Sequence, residues 1–219
     1  MSTLAATVLF ALTLANTDPP KWEHIYTTDG IEGFSQKPTD SDFFGFKGIG
    51  IVDANVETVL NVISDVKHEL EWVYLLKDHE VLSAPNTYER VEYQLFGLPW
   101  PVDDRDFVFQ VKVTTLDEAG RVLIEITSVD VANAPPTRGV RGQLTKSLFL
   151  LEPHSENSTK LTVEIFSDPK GALPAWMVYF VQRRWPYATI TGIREQVQLP
   201  RAKELPRPSL SQVGPTKPN

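Results

Sequence analysis

The chain has 219 residues, enough for one domain with a sizeable core, and its 42% hydrophobic and 22% charged content is that of a globular protein. A formal charge of -7 disfavours nucleic acid, which rewards clustered Lys and Arg, and leaves only local basic patches to meet anionic membranes. The absence of cysteine excludes a disulfide scaffold, thiolate metal ligation and a cysteine nucleophile.

Thr3 to Ala15 is an apolar run without charge, ending in the small residues Thr13-Leu14-Ala15. It falls short of the ~20 apolar residues a membrane-spanning helix needs. It has the form of a secretory signal over residues 1–15, which predicts a periplasmic or secreted protein; the alternative is a cytoplasmic chain with a core-docked N-terminus. Asp29-Gly30 splits two alternating runs, "WEHIYTT" and "IEGFSQK", as a hairpin turn does. "FFGFKGIGIV" (Phe43 to Val52) predicts a third strand. Asp53 is placed to cap a helix on which Val56, Val59, Leu60 and Ile63 form one apolar face. The next stretch, "HELEWVYLL", fits neither period.

From Glu80 the pattern turns to strands: "EVLS", "TYERVEYQLF", "DFVFQVKVTTL", "RVLIEITSVDV", "RGQLTKSLFLLE" and "KLTVEIFSD". Turn chemistry separates them, at Ala84-Pro85-Asn86, Asp117-Glu118-Ala119-Gly120, Ala134-Pro135-Pro136 and Ser155-Glu156-Asn157-Ser158. Short turns between successive strands imply an antiparallel meander. The run from Asp168 to Gln198 predicts a long C-terminal helix, with Pro174 in its first turn and Pro186 interrupting it. Within it "AWMVYFV" is apolar on nearly every face and must be buried all round or meet something greasy. Residues 200–219 are rich in proline and predict a disordered tail, leaving a domain over 16–199. One long helix after an antiparallel sheet predicts an α+β domain with the helix on the concave face, enclosing an apolar cavity suited to a small molecule.

Catalytic signatures are scarce. His68-Glu69-Leu70-Glu71-Trp72 begins like a helical zinc motif but has Trp72 where the second histidine belongs. The four histidines have no ligand spacing, and there is no G-x-S-x-G elbow or P-loop. Neither a metal nor a cofactor is expected. Asp103, Asp104 and Asp106 surround Arg105 in a loop leading into a strand, where solvated charge is the ordinary role and acid–base work the alternative.

"PWPVDDRDFVF" and "DPKGALPAWMVYFVQ" together resemble two signatures of the START lipid-transfer domains. The first lies on Pro99, Trp100, Pro101, Arg105, Asp106, Phe107 and Val108; the second on Asp168, Pro169, Gly171, Leu173, Pro174 and Trp176. The resemblance spans about residues 20 to 198. It implies the helix-grip fold, a curved antiparallel sheet wrapped around a long C-terminal helix, with a lipid tunnel between them. It implies a carrier of one phospholipid, sterol or sphingolipid, working as a monomer through transient membrane contact, with no nucleic acid partner and no covalent chemistry. The alternatives are an enzyme of the same fold class using a cavity carboxylate, and a lipid-sensing interaction module.

The resemblance also implies a site. Ligand-lining positions are Glu92, Tyr93, Trp100, Arg105, Phe109, Val111, Arg141, Trp176 and Phe180. Pro99, Trp100 and Pro101 form a flap over the tunnel mouth, and Arg183, Arg184 and Trp185 a basic-aromatic cluster for headgroups. Arg105 is expected to brace the flap by pairing with a neighbouring aspartate. Relatives often place an arginine at the position of Val111, paired across the cavity with a carboxylate at the position of Glu92. Here that partner is missing, and Lys112 alternates to the opposite face. A bare buried carboxylate is costly. Arg141 could replace the partner, the ligand could bring a cationic or hydroxyl headgroup, or Glu92 could face outward and leave Val91, Tyr93 and Leu95 as the lining.

Overall fold

The structure is a computed structural model and describes residues 21–37, 43–86 and 88–204. The apolar run over residues 1–15 lies outside the described residues. The chain opens with β1 (Trp22–Thr28), β2 (Ile31–Gln36) and β3 (Gly45–Val52), then α1 (Val56–Ser64) and a 3-10 helix (Val66–Glu71). Next come β4 (Leu76–Asn86), β5 (Glu89–Phe96), β6 (Arg105–Thr115), β7 (Val122–Ser128), the short β8 (Val140–Arg141), β9 (Gln143–Ser155) and β10 (Ser158–Asp168). The helices α2 (Ala175–Gln182), α3 (Trp185–Gln196) and α4 (Pro200–Glu204) follow.

All ten strands form one sheet in the order β1-β2-β3-β10-β9-β7-β6-β5-β4, with β8 alongside β6. Pairing is antiparallel except between β6 and β8. The expected meander therefore runs from β4 to β10. The N-terminal hairpin joins it at the far end, where β3 pairs with β10. Asp29 and Gly30 carry φ of 50° and 69°, the left-handed pair that a two-residue hairpin turn needs. Ala84-Pro85-Asn86, read as a turn, instead ends β4, and Asn86 Oδ1 accepts the Tyr88 N–H at 2.8 Å.

Between β3 and β4 the chain crosses the sheet by way of α1. Val56, Val59, Leu60 and Ile63 are all buried, as the period requires. The cap is Asn55, whose Oδ1 accepts the Thr58 N–H at 2.9 Å, and not Asp53. A cap must directly precede the first helical residue, and Asp53 lies too early. The ambiguous "HELEWVYLL" is the 3-10 helix followed by turns.

The C-terminal helix is in pieces. Pro186 has no N–H to give to Gln182, and the helix breaks at Arg183-Arg184 and restarts as α3 with proline in its first turn. α3 packs on β2, β3 and β10, with Ile190 and Ile193 fully buried. A Cβ on Gly48 of β3 would lie 2.7 Å from the Pro186 Cβ, so that strand admits the helix only because its side chain is absent. Pro200 does not begin an irregular tail. It opens α4, which buries Ala202 against the core and sets Arg201 beside Glu71, with Nη2 2.5 Å from Oε2. Residues 205–219 lie outside the described residues.

Candidate functional site

Toward β5 and β6 the helices no longer touch the sheet, and a cavity of about 500 Å³ fills the gap. Its floor is sheet: Phe107, Phe109 and Val111 of β6, Ile126 of β7, Phe149 of β9 and Ile165 of β10. Its roof is Met177, Val178 and Val181 of α2, with Trp185 and Thr189 of α3. Leu98, Pro99, Trp100, Pro101 and Val102 form one wall, and Trp72, Val73, Tyr74 and Leu75 another. Among these lining residues, Pro99, Trp100, Pro101, Phe180 and Arg184 also stand exposed, so the cavity meets solvent between the loop and α2. Trp100 is 92% exposed and Phe180 52%.

The loop's charges explain its shape. Asp104 accepts from Lys77 Nζ at 2.7 Å and from the Leu98 N–H at 3.2 Å. Arg105 reaches across to the second signature, donating to the carbonyls of Pro169 at 2.7 Å and Lys170 at 3.3 Å. It braces the loop through backbone carbonyls, including that of Asp103, and not through an aspartate side chain. Asp106, fully buried, accepts from Arg141 Nε, from the Arg138 N–H at 2.9 Å and from Tyr93 Oη at 3.3 Å. Burial opposes ionisation of Asp106, yet Arg141, the Arg138 N–H and Thr137 outweigh it and hold the carboxyl below its ordinary range. Charge thus fastens the feet of the loop, and its greasy tip is left facing out.

Among the polar side chains of the lining, four lie together: Arg90, Glu92 and Gln94 of β5, and Glu69 of the 3-10 helix. Alternation places the three strand residues on one face. Glu92 faces the cavity, and its partner is Arg90, whose Nε donates to Glu92 Oε1. Arg90 lies directly opposite Val111 in the β5–β6 register, so the missing cation is supplied from the neighbouring strand. Gln94 Nε2 donates to Glu69 Oε2 at 2.8 Å and to Glu92 Oε2 at 3.2 Å. Burial, then the charge of Glu92, push the Glu69 carboxyl up to about 8, against the pull of Arg90 and Gln94.

Of the expected lining, Glu92, Trp100, Arg105, Phe109, Val111 and Phe180 reach the cavity, as do Pro99, Pro101, Arg184 and Trp185 of the mouth. Three expectations are corrected. Tyr93 neighbours Glu92 on a strand and must point the other way, into a small second core with Leu95 and Val108. Arg141 is taken by Asp106 on that same outer side, 5.8 Å from the Tyr93 ring. Trp176 points away from the cavity and is 69% exposed. Arg183 also lies off the lining, 4.9 Å over the Phe180 ring at the mouth. Glu69, Arg90 and Gln94 were missed. The i, i+2 spacing of Arg90, Glu92 and Gln94 was the available signal; nothing local marked Glu69.

Among the described residues no group of His, Asp and Glu is arranged to hold a metal ion, and no helix is long and apolar enough to cross a membrane.

The family described as START domain matches residues 5–198, beginning inside the apolar run read as an export signal. The chain is 25% identical over 199 residues to an uncharacterised protein of Pseudomonas aeruginosa, covering 90% of this chain and 96% of that one. It is 21% identical over 161 residues to the phosphatidylcholine transfer protein of Rattus norvegicus, covering 72% and 74% of the two chains. In fold it is similar to a STAR-related lipid transfer protein of Xanthomonas axonopodis, with a TM-score of 0.73, 22% identity, and coverage of 81% of this chain and 99% of that one. The sheet gripping its C-terminal helices, the cavity between them and the two signatures joined by Arg105 agree with the match over nearly the whole chain, and the protein belongs to the START domain family.

Proposed function

We propose that the protein binds a single lipid in this cavity and carries it between membranes as a monomer, without covalent chemistry. The observation that carries this reading is the apolar cavity of about 500 Å³ that opens between an exposed Trp100 and an exposed Phe180. That volume lies in the ordinary range for small-molecule sites, ~300–1,000 Å³. Each buried CH₂ of a chain contributes ~0.8 kcal/mol, so hydrocarbon is held strongly without polar contacts. At a membrane, Trp100 and Phe180 enter the interfacial layer while Arg183 and Arg184 meet headgroups. The lipid then passes between loop and helix without crossing water.

The protein purified in its folded state is expected to carry one lipid per chain. Native and denatured masses, with extraction and mass spectrometry of the difference, measure this. A folded sample with no stoichiometric lipid, and none taken up from vesicles, sinks the reading. An export signal over residues 1–15 would place the exchange in the periplasm or outside the cell, and the denatured mass reads its removal.

An enzyme acting on the bound lipid is the second reading. Asp104 and Asp106 are committed to bracing the loop, but Glu69 and Glu92 share the cavity with different environments, as acid–base pairs do. Incubation with extracted lipids, with the products followed by mass, would reveal turnover that Glu92→Gln abolishes; no product would retire it.

A further inference from the structure

The charges of the four-residue polar cluster in the cavity do not balance. Glu69, Arg90, Glu92 and Gln94 are 3%, 8%, 2% and 8% exposed, and all four line the hollow. They bring two carboxylates and one guanidinium. Arg90 is spent on Glu92 Oε1. The amide of Gln94 is spent on one oxygen of each glutamate, which it holds side by side. Both oxygens of Glu92 are therefore engaged, while Glu69 receives its hydrogen bond at Oε2 and no described residue donates to Oε1, which is not among the fully enclosed atoms. The other charged groups near Glu69 do not close the deficit. His79 Nδ1 from β4 lies 3.9 Å from Oε2, too far for a hydrogen bond, and Asp65 ahead of the 3-10 helix adds further negative charge. Arg105 lines the cavity but is bound to loop carbonyls, and Arg184 stands at the exposed mouth.

We propose that this cluster is the subsite for the polar end of the lipid, and that the polar end it takes is cationic, a primary ammonium group on a hydrocarbon chain. The inference rests on the carrier reading and specifies its cargo. An ammonium set between Glu69 and Glu92 supplies the missing positive charge and donates to the free Glu69 oxygen, while its chain lies along Phe109, Val111 and Phe149. An anionic headgroup is turned away by the same two carboxylates. In the empty cavity the deficit is met by a proton on Glu69, whose carboxyl is pushed up to about 8 by burial and by Glu92. Ammonium and proton compete for one place. Below that pH the ligand binds as the cation and the Glu69 proton leaves to solvent, so charge is conserved at the site.

The test uses the full chain stripped of lipid and three probes of one chain length: hexadecylamine, hexadecanol and hexadecanoic acid, each offered from neutral phosphatidylcholine vesicles. The amine is expected to bind about tenfold or more tighter than the alcohol, with the carboxylate weakest. Its affinity should rise as pH rises toward 8, while that of the alcohol stays flat. Binding of the amine near neutral pH should release about one proton, read from calorimetry in two buffers of different ionisation enthalpy. In Glu69→Gln, whose amide resembles the protonated acid in size, the amine-to-alcohol ratio should collapse toward one. The wild-type proton count tests the idea even if that variant folds poorly. Equal binding of alcohol and amine, or amine binding without proton release, overturns the inference and leaves the carrier reading standing. Failure of all three probes on folded protein overturns both.

Discussion

The two ends of the sheet meet the same C-terminal helices in opposite ways. Under β2, β3 and β10, α3 sits directly on the strands: Gly48 makes room for Pro186, and Val163 opposite it, with Ile190 above, is fully buried. Under β5 and β6 the facing positions carry Arg90, Glu92 and Gln94 against Phe109 and Val111, and the helices stand off by the width of a cavity. The backbone architecture is shared. The side chains at inward positions decide whether helix and sheet close or part. Small residues let the layers touch, whereas long polar ones hydrogen-bonded to one another prop an apolar hollow open.

That contrast can be broken most forcefully with pH. Glu69 belongs only to the hollow side, and its carboxyl is raised from the usual 4.5 to about 8. The folded state therefore holds a proton that the unfolded chain gives up. Stability from this group is fully present below 4.5 and is lost as pH rises toward 8, with a slope approaching ~1.4 kcal/mol per pH unit. Urea melts across that range should show the decline, and Glu69→Gln should flatten it. A wild-type protein that gains stability over the same window would contradict the assignment.

Adding volume on each side should give unequal outcomes. Gly48→Val drives a branched side chain into Pro186 and should cost about 3 kcal/mol or more, read as a lower urea midpoint. Val111→Phe adds its volume on the cavity wall and should change stability by less than ~1 kcal/mol while weakening lipid uptake. Equal destabilisation by the two would mean that the cavity is not a standing void. The smallest stability effect belongs to Trp100→Ala. A side chain this exposed should leave the melt within ~0.5 kcal/mol of wild type. The same change should slow lipid transfer between vesicles severalfold, because an interfacial anchor is gone. Transfer at the wild-type rate would remove Trp100 from the docking surface.

The packed end was legible in the sequence. Period-2 runs, turn chemistry, the α1 face and the break at Pro186 are local signals, and each local preference agrees with the final fold. The hollow end was legible only in part. The resemblance points to Glu92 and to the Trp100 loop, but of the three resolutions open for Glu92 the one protein partner is Arg141, far along the chain. Arg90 was two residues away on the same strand face, where simple alternation puts it. The same rule forbids Tyr93 and Glu92 from lining one cavity. Glu69 was beyond such reasoning. Its place beside Gln94 follows from how the 3-10 helix lands across the sheet, a tertiary fact without local signature.

If the protein is a carrier as proposed, the interruption at Arg183-Arg184 has a consequence for how it is filled and emptied. α3 is tied down by Arg194, which donates to the carbonyls of Ile51 and Asp29 at 2.8 Å each, and by its buried isoleucines. α2 leans on the sheet through Gln182, whose Nε2 donates to Ser167 Oγ at 2.7 Å. Because Pro186 interrupts the hydrogen-bond ladder between them and α2 buries less than α3, α2 is expected to loosen while α3 keeps its seat, and its amides should exchange with deuterium before those of α3. On the carrier reading proposed above, loading would then draw on a local fluctuation that leaves the isoleucine core under α3 covered.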